Sequence, residues 1–168
     1  MTLSTGRWTL RLLLVTLAIT PVRRVTGWNR LIGFRRMLGL FAFFYATLHF
    51  TIYLAIDQFF DWETIVDDVT KRPFITAGFA AFVLLIPLAM TSTRGWIRRL
   101  GRRWQQIHRL IYVSAILAVV HFIWKVKSDL RDPLFYATVL AILLAVRAAY
   151  WIGRRTQGSR LRTQDSGL

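Results

Sequence analysis

Apolar residues occur along this chain in long blocks rather than at the short periods of a soluble fold. The five blocks cover residues 8–22, 37–56, 74–90, 102–125 and 134–152. At the rise of an α-helix, about 20 such residues cross the hydrocarbon core of a bilayer. The pattern therefore predicts an all-α integral membrane bundle with five transmembrane helices in this chain. The first block is the weakest, because it is short and is interrupted by Arg11.

The loops between the blocks separate the charges by sign. The net charge is +15, yet seven of the eight acidic residues lie in two loops, 57–68 and 129–132. Arginines fill the loops at 23–36 and 94–103 and the tail after residue 153. Since basic loops stay in the cytoplasm, we expect the two acidic loops to lie outside. Orientation in a lipid membrane explains this charge better than nucleic acid does, and no nucleic-acid partner is expected.

One membrane domain, residues 1–152, accounts for all five blocks. Residues 153–168 are rich in Arg, Ser and Gly, so we predict a disordered cytoplasmic tail. With the Arg-rich loops in the cytoplasm, five spans place the N-terminus outside, although Arg7 and Arg11 flank the first span. This mismatch indicates that a further helix belongs upstream of the first block.

The absence of cysteine limits the chemistry. It excludes disulfides, thiolate metal sites, iron–sulfur clusters and covalent c-type haem attachment. The sequence also contains no phosphate-binding glycine-rich loop, dinucleotide fingerprint or Ser–His–Asp order. The chain therefore offers no binding domain for NADPH or FAD, and an electron donor would have to dock or dissolve in the membrane.

All three histidines lie inside apolar blocks, His49 in the second and His108 and His121 in the fourth. An ionisable side chain in lipid needs partners and points to function, although bonding to a nearby carbonyl or hydroxyl is the plain structural alternative. Two histidines on facing helices can hold a b-type haem without covalent attachment. A zinc site would need three histidines at one depth, and a proton pathway would need Asp or Glu inside the spans.

Depth along the helices decides which histidines pair. His49 lies roughly 12 Å and His121 roughly 6 Å from the outer end of its helix, whereas His108 lies about 25 Å in. We therefore predict a haem between His49 and His121, with His108 as a candidate ligand of a second haem. On a straight helix His108 and His121 point roughly 140° apart, so a kink or two opposed pockets would be needed.

The aromatic and basic residues near the histidines each have two interpretations. The aromatic side chains either pack against a porphyrin or face the lipid and the membrane interface. The arginine runs anchor topology and contact lipid headgroups. Arg36 and Arg103 are the two that we predict to bind haem propionates or a quinone headgroup through charge-assisted hydrogen bonds. The aromatic residues in question are Phe41, Phe43, Phe44, Tyr45, Phe50, Phe122 and Trp124.

Several stretches of the chain resemble the MsrQ family, also called YedZ. They are RRMLGLFAFFYATLHFTIYL, KRPFITAG and AMTSTRGWIRRLGRRWQQIHRLIYVSAILAVVHFIWKVK, followed by PLFYA and AVR. The resemblance covers residues 4–150 and is specific, because it combines the histidines with their spacing and flanking residues. Members of this family are haem-binding membrane proteins of the ferric-reductase-like transmembrane superfamily.

The resemblance implies an electron-transfer subunit of the bacterial inner membrane. Such a subunit passes electrons through b-type haem to MsrP, a periplasmic molybdenum-dependent reductase that repairs methionine sulfoxide. The donor would be the quinone pool or a cytoplasmic flavin reductase, with FMN as a further candidate cofactor. The family's ligand histidines correspond to His49, His108 and His121. The alternatives are a ferric or cupric ion reductase that acts without this partner, and a haem-free membrane scaffold.

Two departures from the family pattern affect these expectations. Family members usually begin with one more transmembrane helix, and this chain starts about where the second would. Six spans would restore a cytoplasmic N-terminus. Ferric reductases proper carry another histidine at the position of Arg36, thirteen residues before His49. We therefore expect one haem, and the second haem at His108 stays open.

Overall fold

The computed structural model describes residues 2–126 and 129–165, and within these ranges the chain is helical and has no strand. The all-α prediction is confirmed. A π-helical segment, Tyr53–Asp57, extends the second helix. The helices are α1 (Thr2–Thr26), α2 (Leu31–Ile52), α3 (Trp62–Lys71), α4 (Pro73–Met90), α5 (Arg94–Leu100), α6 (Arg102–Ile107), α7 (Leu110–Lys125) and α8 (Arg131–Asp165).

Four helical stretches of the described residues are long and apolar enough to cross a membrane. They are Leu31–Asp57, Pro73–Met90, Arg102–Lys125 and Arg131–Gly153. Helix α1 does not meet these criteria, but it is a fifth long helix of the bundle. Four of its leucines are buried in the core: Leu10, Leu13, Leu14 and Leu17. The predicted membrane bundle therefore stands, with α1 held mainly by its packing against the other helices.

The core forms where α1 packs on α2 and α4 packs on α7, with α8 closing the bundle against α1 and α7. Small buried residues, Ala42 on α2 and Ala115 on α7, let the helices approach closely. The Ser114 hydroxyl is fully buried and donates to the Ala81 carbonyl at 2.9 Å. This bond links α7 to α4 near the middle of the bundle.

A proline inside α1 leaves one backbone carbonyl without its helical hydrogen bond. Pro21 has no N–H, so the carbonyl of Leu17, four residues earlier, lacks its usual helical donor. Arg147 of α8 donates its Nη2 to this carbonyl at 2.7 Å, and its guanidinium lies over the Tyr112 ring. The side chain of one helix thus completes the backbone bonding of another.

The fourth apolar block is two helices rather than the single helix that the pattern predicts. A turn at His108 and Arg109 separates α6 from α7. The Trp104 carbonyl accepts from both the backbone N–H and the ring of His108, and Arg109 bonds back to Gln106. The angle expected for one continuous helix between His108 and His121 therefore does not apply, because His108 lies in the turn that separates the two helices.

The tail also differs from expectation. The sequence predicts disorder from Gly153, whereas the backbone of α8 continues as a helix to Asp165. A helix already nucleated in the preceding span gains one bond for each residue added, which favours its extension. Residues 166–168 lie outside the described residues, and the boundary between membrane domain and tail stays a prediction.

The acidic loop between α2 and α4 is folded rather than open. Asp61 caps α3 by accepting from the backbone N–H groups of Glu63 and Thr64 and from the Thr64 hydroxyl at 2.7 Å. These hydrogen bonds, chiefly from Thr64, lower the pKa of Asp61 below its ordinary value. Helix α3 packs on α4 and covers one end of the bundle.

Candidate functional site

Two of the three histidines meet inside the bundle. His49 of α2 and His121 of α7 lie with ring centroids 6.3 Å apart and ring planes at 80°. Both line a cavity of about 590 Å³ bounded by α1, α2, α3, α4 and α7. The structure thus brings together the two histidines that the depth argument pairs, and their role as ligands stays a prediction.

A hydrogen bond fixes the orientation of each imidazole. His121 Nδ1 lies 2.6 Å from the Phe74 carbonyl of α4. Because a carbonyl only accepts, Nδ1 carries the proton and Nε2 is the basic nitrogen. His49 Nδ1 lies 3.3 Å from the Thr5 hydroxyl of α1. Histidines that bind metals commonly have the other ring nitrogen held in this way.

Two glycines lie against the imidazole rings, one against each. A Cβ at Gly78 of α4 would lie 2.6 Å from His121 Nδ1, closer than real contacts allow. A Cβ at Gly6 of α1 would lie 3.1 Å from His49 Cε1. Any side chain at Gly78 would therefore displace the His121 ring. The sequence gives only a weak signal for this role: a glycine inside an apolar helix, where alanine is more stable by about 1 kcal/mol.

The cavity walls are apolar in the middle and charged towards α3. Phe50 and Phe122 are the two predicted aromatic residues that line it. Phe41, Phe44 and Trp124 are exposed on the bundle surface, as lipid-facing side chains would be. The other apolar lining residues include Leu10, Leu13, Phe74, Phe79, Phe82 and Leu85.

A charged group closes the α3 end of the cavity. Asp68 is buried and accepts hydrogen bonds from Tyr53 at 3.2 Å and Gln58 at 2.8 Å, and it pairs with Arg72 at 3.0 Å. Tyr53 belongs to the π-helical segment, a local widening that often marks functional sites. None of these side chains was predicted to belong to the site. Gln58, Asp68 and Arg72 lie in what the sequence indicates is a loop, and Tyr53 is one of many aromatic residues in the second apolar block.

Three cationic side chains line the cavity: Arg7 of α1, Arg72 after α3 and Lys125 at the end of α7. Arg7 also pairs with Asp132 at 3.5 Å, and Lys125 lies over the Phe74 ring. The sequence placed these residues at the ends of predicted spans. Their convergence depends on helices that are distant in sequence.

Arg36 and Arg103, the predicted contacts of a propionate or quinone, lie elsewhere. Both are exposed, and among the described residues neither lines this cavity. Arg36 lies in the second turn of α2 and Arg103 lies in α6, so both are near the end of the bundle opposite α3. A role there with a quinone headgroup stays a prediction.

His108 lies apart from the other two histidines, in the turn between α6 and α7. Its Nδ1 is 3.1 Å from the Trp104 carbonyl, and its ring stacks on the Trp104 indole with centroids 3.9 Å apart. In the described part of the chain, no three His, Asp or Glu side chains are grouped to hold a metal ion. The residues described thus form one paired-histidine site and one single histidine.

Comparison with known proteins gives the class to which this arrangement belongs. A family model described as "Ferric reductase like transmembrane component" matches residues 5–119. This match spans more than half of the chain, including all of α2 with His49, and it ends within α7, two residues before His121. The chain is thus of the ferric-reductase-like transmembrane class. None of the solved structures matches the chain significantly.

Curated relatives define the family more narrowly. A protein of Xanthomonas oryzae pv. oryzae is 57% identical over 157 residues, which are 93% of this chain and 72% of that protein. One of Herminiimonas arsenicoxydans is 55% identical over 163 residues, 95% of this chain and 75% of that protein. Both are named "Protein-methionine-sulfoxide reductase heme-binding subunit MsrQ". The chain belongs to the MsrQ family, and its four apolar spans confirm the predicted multi-pass membrane location.

Proposed function

We propose that the chain is a membrane electron-transfer subunit that binds b-type haem between His49 and His121. The observation that carries the proposal is the pair of imidazoles from α2 and α7 facing one cavity inside a membrane bundle. The relatives are named as haem-binding subunits, which supports the same assignment for this chain.

The spacing of the two rings fits ligation of one iron. Two imidazoles on opposite sides of a metal ion, each bonded at about 2 Å, have ring centres about 6 Å apart. The observed separation is 6.3 Å. The hydrogen bond from His121 Nδ1 to Phe74 leaves Nε2 as the nitrogen for iron, and it makes that nitrogen a stronger ligand.

The distribution of charge around the cavity also fits haem. A porphyrin has a broad apolar body and two carboxylates, and the cavity has apolar walls with Arg7, Arg72 and Lys125 at one end. Charge-assisted hydrogen bonds from such cations hold carboxylates firmly. We therefore assign the propionate contacts to these three residues in preference to Arg36 and Arg103.

When bound, haem supplies a one-electron carrier whose potential depends on its ligands and surroundings. The two histidines would hold the iron through Nε2, the phenylalanines would keep water away, and Arg7, Arg72 and Lys125 would place positive charge near the propionates. The glycines at positions 6 and 78 leave room for the imidazoles to approach α1 and α4 closely.

The location of the histidine pair supports an outward direction of electron transfer. It lies at the α3 end, and the acidic loop that contains α3 is the outer side by charge. Electrons would enter from the quinone pool or a cytoplasmic flavin reductase, with FMN as a candidate cofactor. They would leave to a periplasmic MsrP-type molybdoenzyme at the bacterial inner membrane.

His108 is the candidate ligand for a second haem on the opposite side. Its ring is stacked on Trp104 and has no second histidine as a partner, because His49 and His121 face each other. The second haem would therefore need a ligand other than histidine across from His108.

The test is an absorption spectrum of the detergent-purified chain, oxidised and dithionite-reduced, with haem quantitation. We expect a b-type spectrum that is lost in His49→Ala and in His121→Ala. Partial loss in His108→Ala would indicate a second haem. A colourless parent protein, expressed with ample haem and shown to be folded, would contradict the proposal.

A ferric or cupric ion reductase is the second candidate, and the description of the matching family model favours it. It predicts that the reduced, haem-loaded chain is reoxidised by ferric or cupric chelates at a rate that adding the periplasmic reductase does not change. An electron-transfer subunit predicts rapid reoxidation only by the reductase with methionine sulfoxide present.

A further inference from the structure

We propose that α3 is an interfacial membrane helix whose Trp62–Val66 side lies among the lipid headgroups of the outer leaflet. The partner is the lipid surface itself. The proposal does not depend on haem binding, since it rests on the amphipathic arrangement of α3 and on its position between two spans.

The exposed side of α3 and its leading turn are apolar. Phe59 and Phe60 are 81% and 54% exposed, and Trp62 and Val66 are 65% and 61% exposed. Trp62 and Val66 are four residues apart and so lie on the same side of the helix. Soluble surfaces rarely collect large apolar side chains in this way, whereas aromatic residues are enriched where a membrane meets water.

The other two sides of α3 face the protein and water. Ile65 and Asp68 are buried against the bundle, and Asp68 lines the histidine cavity. Glu63 and Asp67 are exposed on a third side, where carboxylates can remain in water. The helix therefore presents one side to protein, one to water and one that is apolar and uncovered, as an interfacial helix does.

The position of α3 between two spans indicates that lipid covers its apolar side. Helix α3 begins five residues after the span that ends at Asp57 and ends two residues before the span that starts at Pro73. It must therefore lie at the level where the hydrocarbon ends. Ile56, at the end of the first of these spans, is also exposed, so the apolar surface continues from the span onto α3.

The backbone before α3 is consistent with this placement. Phe59 and Phe60 have φ of 47° and 59°, a left-handed conformation that bulky residues rarely adopt. The turn directs both exposed rings away from the bundle. Transfer of two aromatic rings from water to the membrane interface would offset the strain of this conformation.

Site-directed spin labelling tests the proposal, because the chain has no cysteine and each introduced label is unique. Val66→Cys and Asp67→Cys are neighbours on different sides of α3, and both are exposed, so neither should disturb folding. Each full-length protein is labelled with a nitroxide and reconstituted into lipid nanodiscs. Relaxation by oxygen and by a water-soluble nickel chelate is then measured. Val113→Cys, at an exposed position in the middle of the Arg102–Lys125 span, is the hydrocarbon reference.

We expect the nickel chelate to reach the label at position 66 several-fold less than the label at position 67, while oxygen reaches it more. The label at position 66 should be intermediate between those at positions 67 and 113. Equal nickel accessibility at positions 66 and 67 in nanodiscs would overturn the proposal. Protection of position 66 that develops only when a periplasmic partner protein is added would also overturn it, since protein rather than lipid would then cover this side.

Discussion

The histidines at the two ends of the bundle are held in different ways. At the α3 end, His49 and His121 come from separate helices, each ring is held by a neighbouring helix, and a glycine lies against each. At the other end, His108 bonds to a carbonyl of its own turn and stacks on Trp104. The first arrangement suits the proposed haem site, whereas the second satisfies the ring locally. The depths of the histidines already separate His108 from the other two, and the ring contacts show how differently each is held.

The largest effect should come from filling the space beside His121. Gly78→Ala would place a methyl group 2.6 Å from Nδ1 and would break the bond to Phe74. Overpacking costs about 1–3 kcal/mol, which corresponds to haem binding weaker by about 5- to 150-fold. Haem titration of the purified apoprotein measures this. Gly33→Ala, in open space on α2, is the matched control and should bind haem normally.

A smaller effect is expected beside His49. A Cβ at Gly6 would be 3.1 Å from the edge of the ring, so Gly6→Ala requires a shift of only a few tenths of an ångström. We expect affinity to fall by a factor of about 3, with a changed low-spin electron paramagnetic resonance signal, since under 1 kcal/mol is lost. A loss in Gly6→Ala as large as that in Gly78→Ala would show that the two ligands are held equally tightly.

The charge at the cavity end should tune the potential rather than the affinity for iron. Lys125→Gln removes a cation that lines the cavity and has a phenyl ring rather than a carboxylate as its neighbour. The midpoint potential should fall by tens of millivolts, on the order expected for one partly screened charge, because a nearby cation favours the reduced iron. Lys71→Gln, paired with Asp67 and absent from the lining residues described, is the control. A rise in potential would contradict the assignment of this end to the propionates.

The smallest effect concerns the cap of α3. Hydrogen bonds lower the pKa of Asp61 in the folded protein, so the cap stabilises α3 at pH values above the unfolded pKa, about 3.9. This stabilisation is lost as the pH falls through the lower, folded pKa. A nitroxide at position 67 should become more mobile on acidification below pH 4. In an Asp61→Ala background the label should already be mobile at neutral pH, and an identical response to acid in both proteins would refute the role of the cap.

The sequence allowed the all-α membrane bundle and the pairing of His49 with His121 to be predicted, because span length and depth follow directly from helical rise. The contacts that hold the rings could not be predicted. Gly78, Phe74 and Thr5 reach the histidines only through the rotation of α4 and α1 about their axes. In helices that are apolar on almost every side, the sequence pattern does not define that rotation. A kink between His108 and His121 was one of two predicted arrangements, but its position could not be predicted, since no proline or glycine marks the turn at His108.

The fold of the acidic loop was also not predicted from the sequence. Its capping residue Asp61 and the buried Asp68 read as surface charges in the sequence, and they marked only the outer side of the membrane. Asp68 is buried because three side chains surround it. Tyr53 and Gln58 precede α3 in the sequence, and Arg72 follows it. A carboxylate enclosed by residues from neighbouring segments cannot be distinguished from a solvated one by spacing alone.

The bond between Arg147 and the Leu17 carbonyl makes the completed fold of α1 depend on α8. Until α8 is in place, α1 carries an open carbonyl beside Pro21 in a setting where lipid offers no donor. During synthesis α1 can thus enter the membrane early but reach its final state only when α8 arrives. A chain shortened before Arg147 would leave a defect in α1, far away in the sequence, by which quality-control proteases could distinguish an unfinished bundle from a finished one.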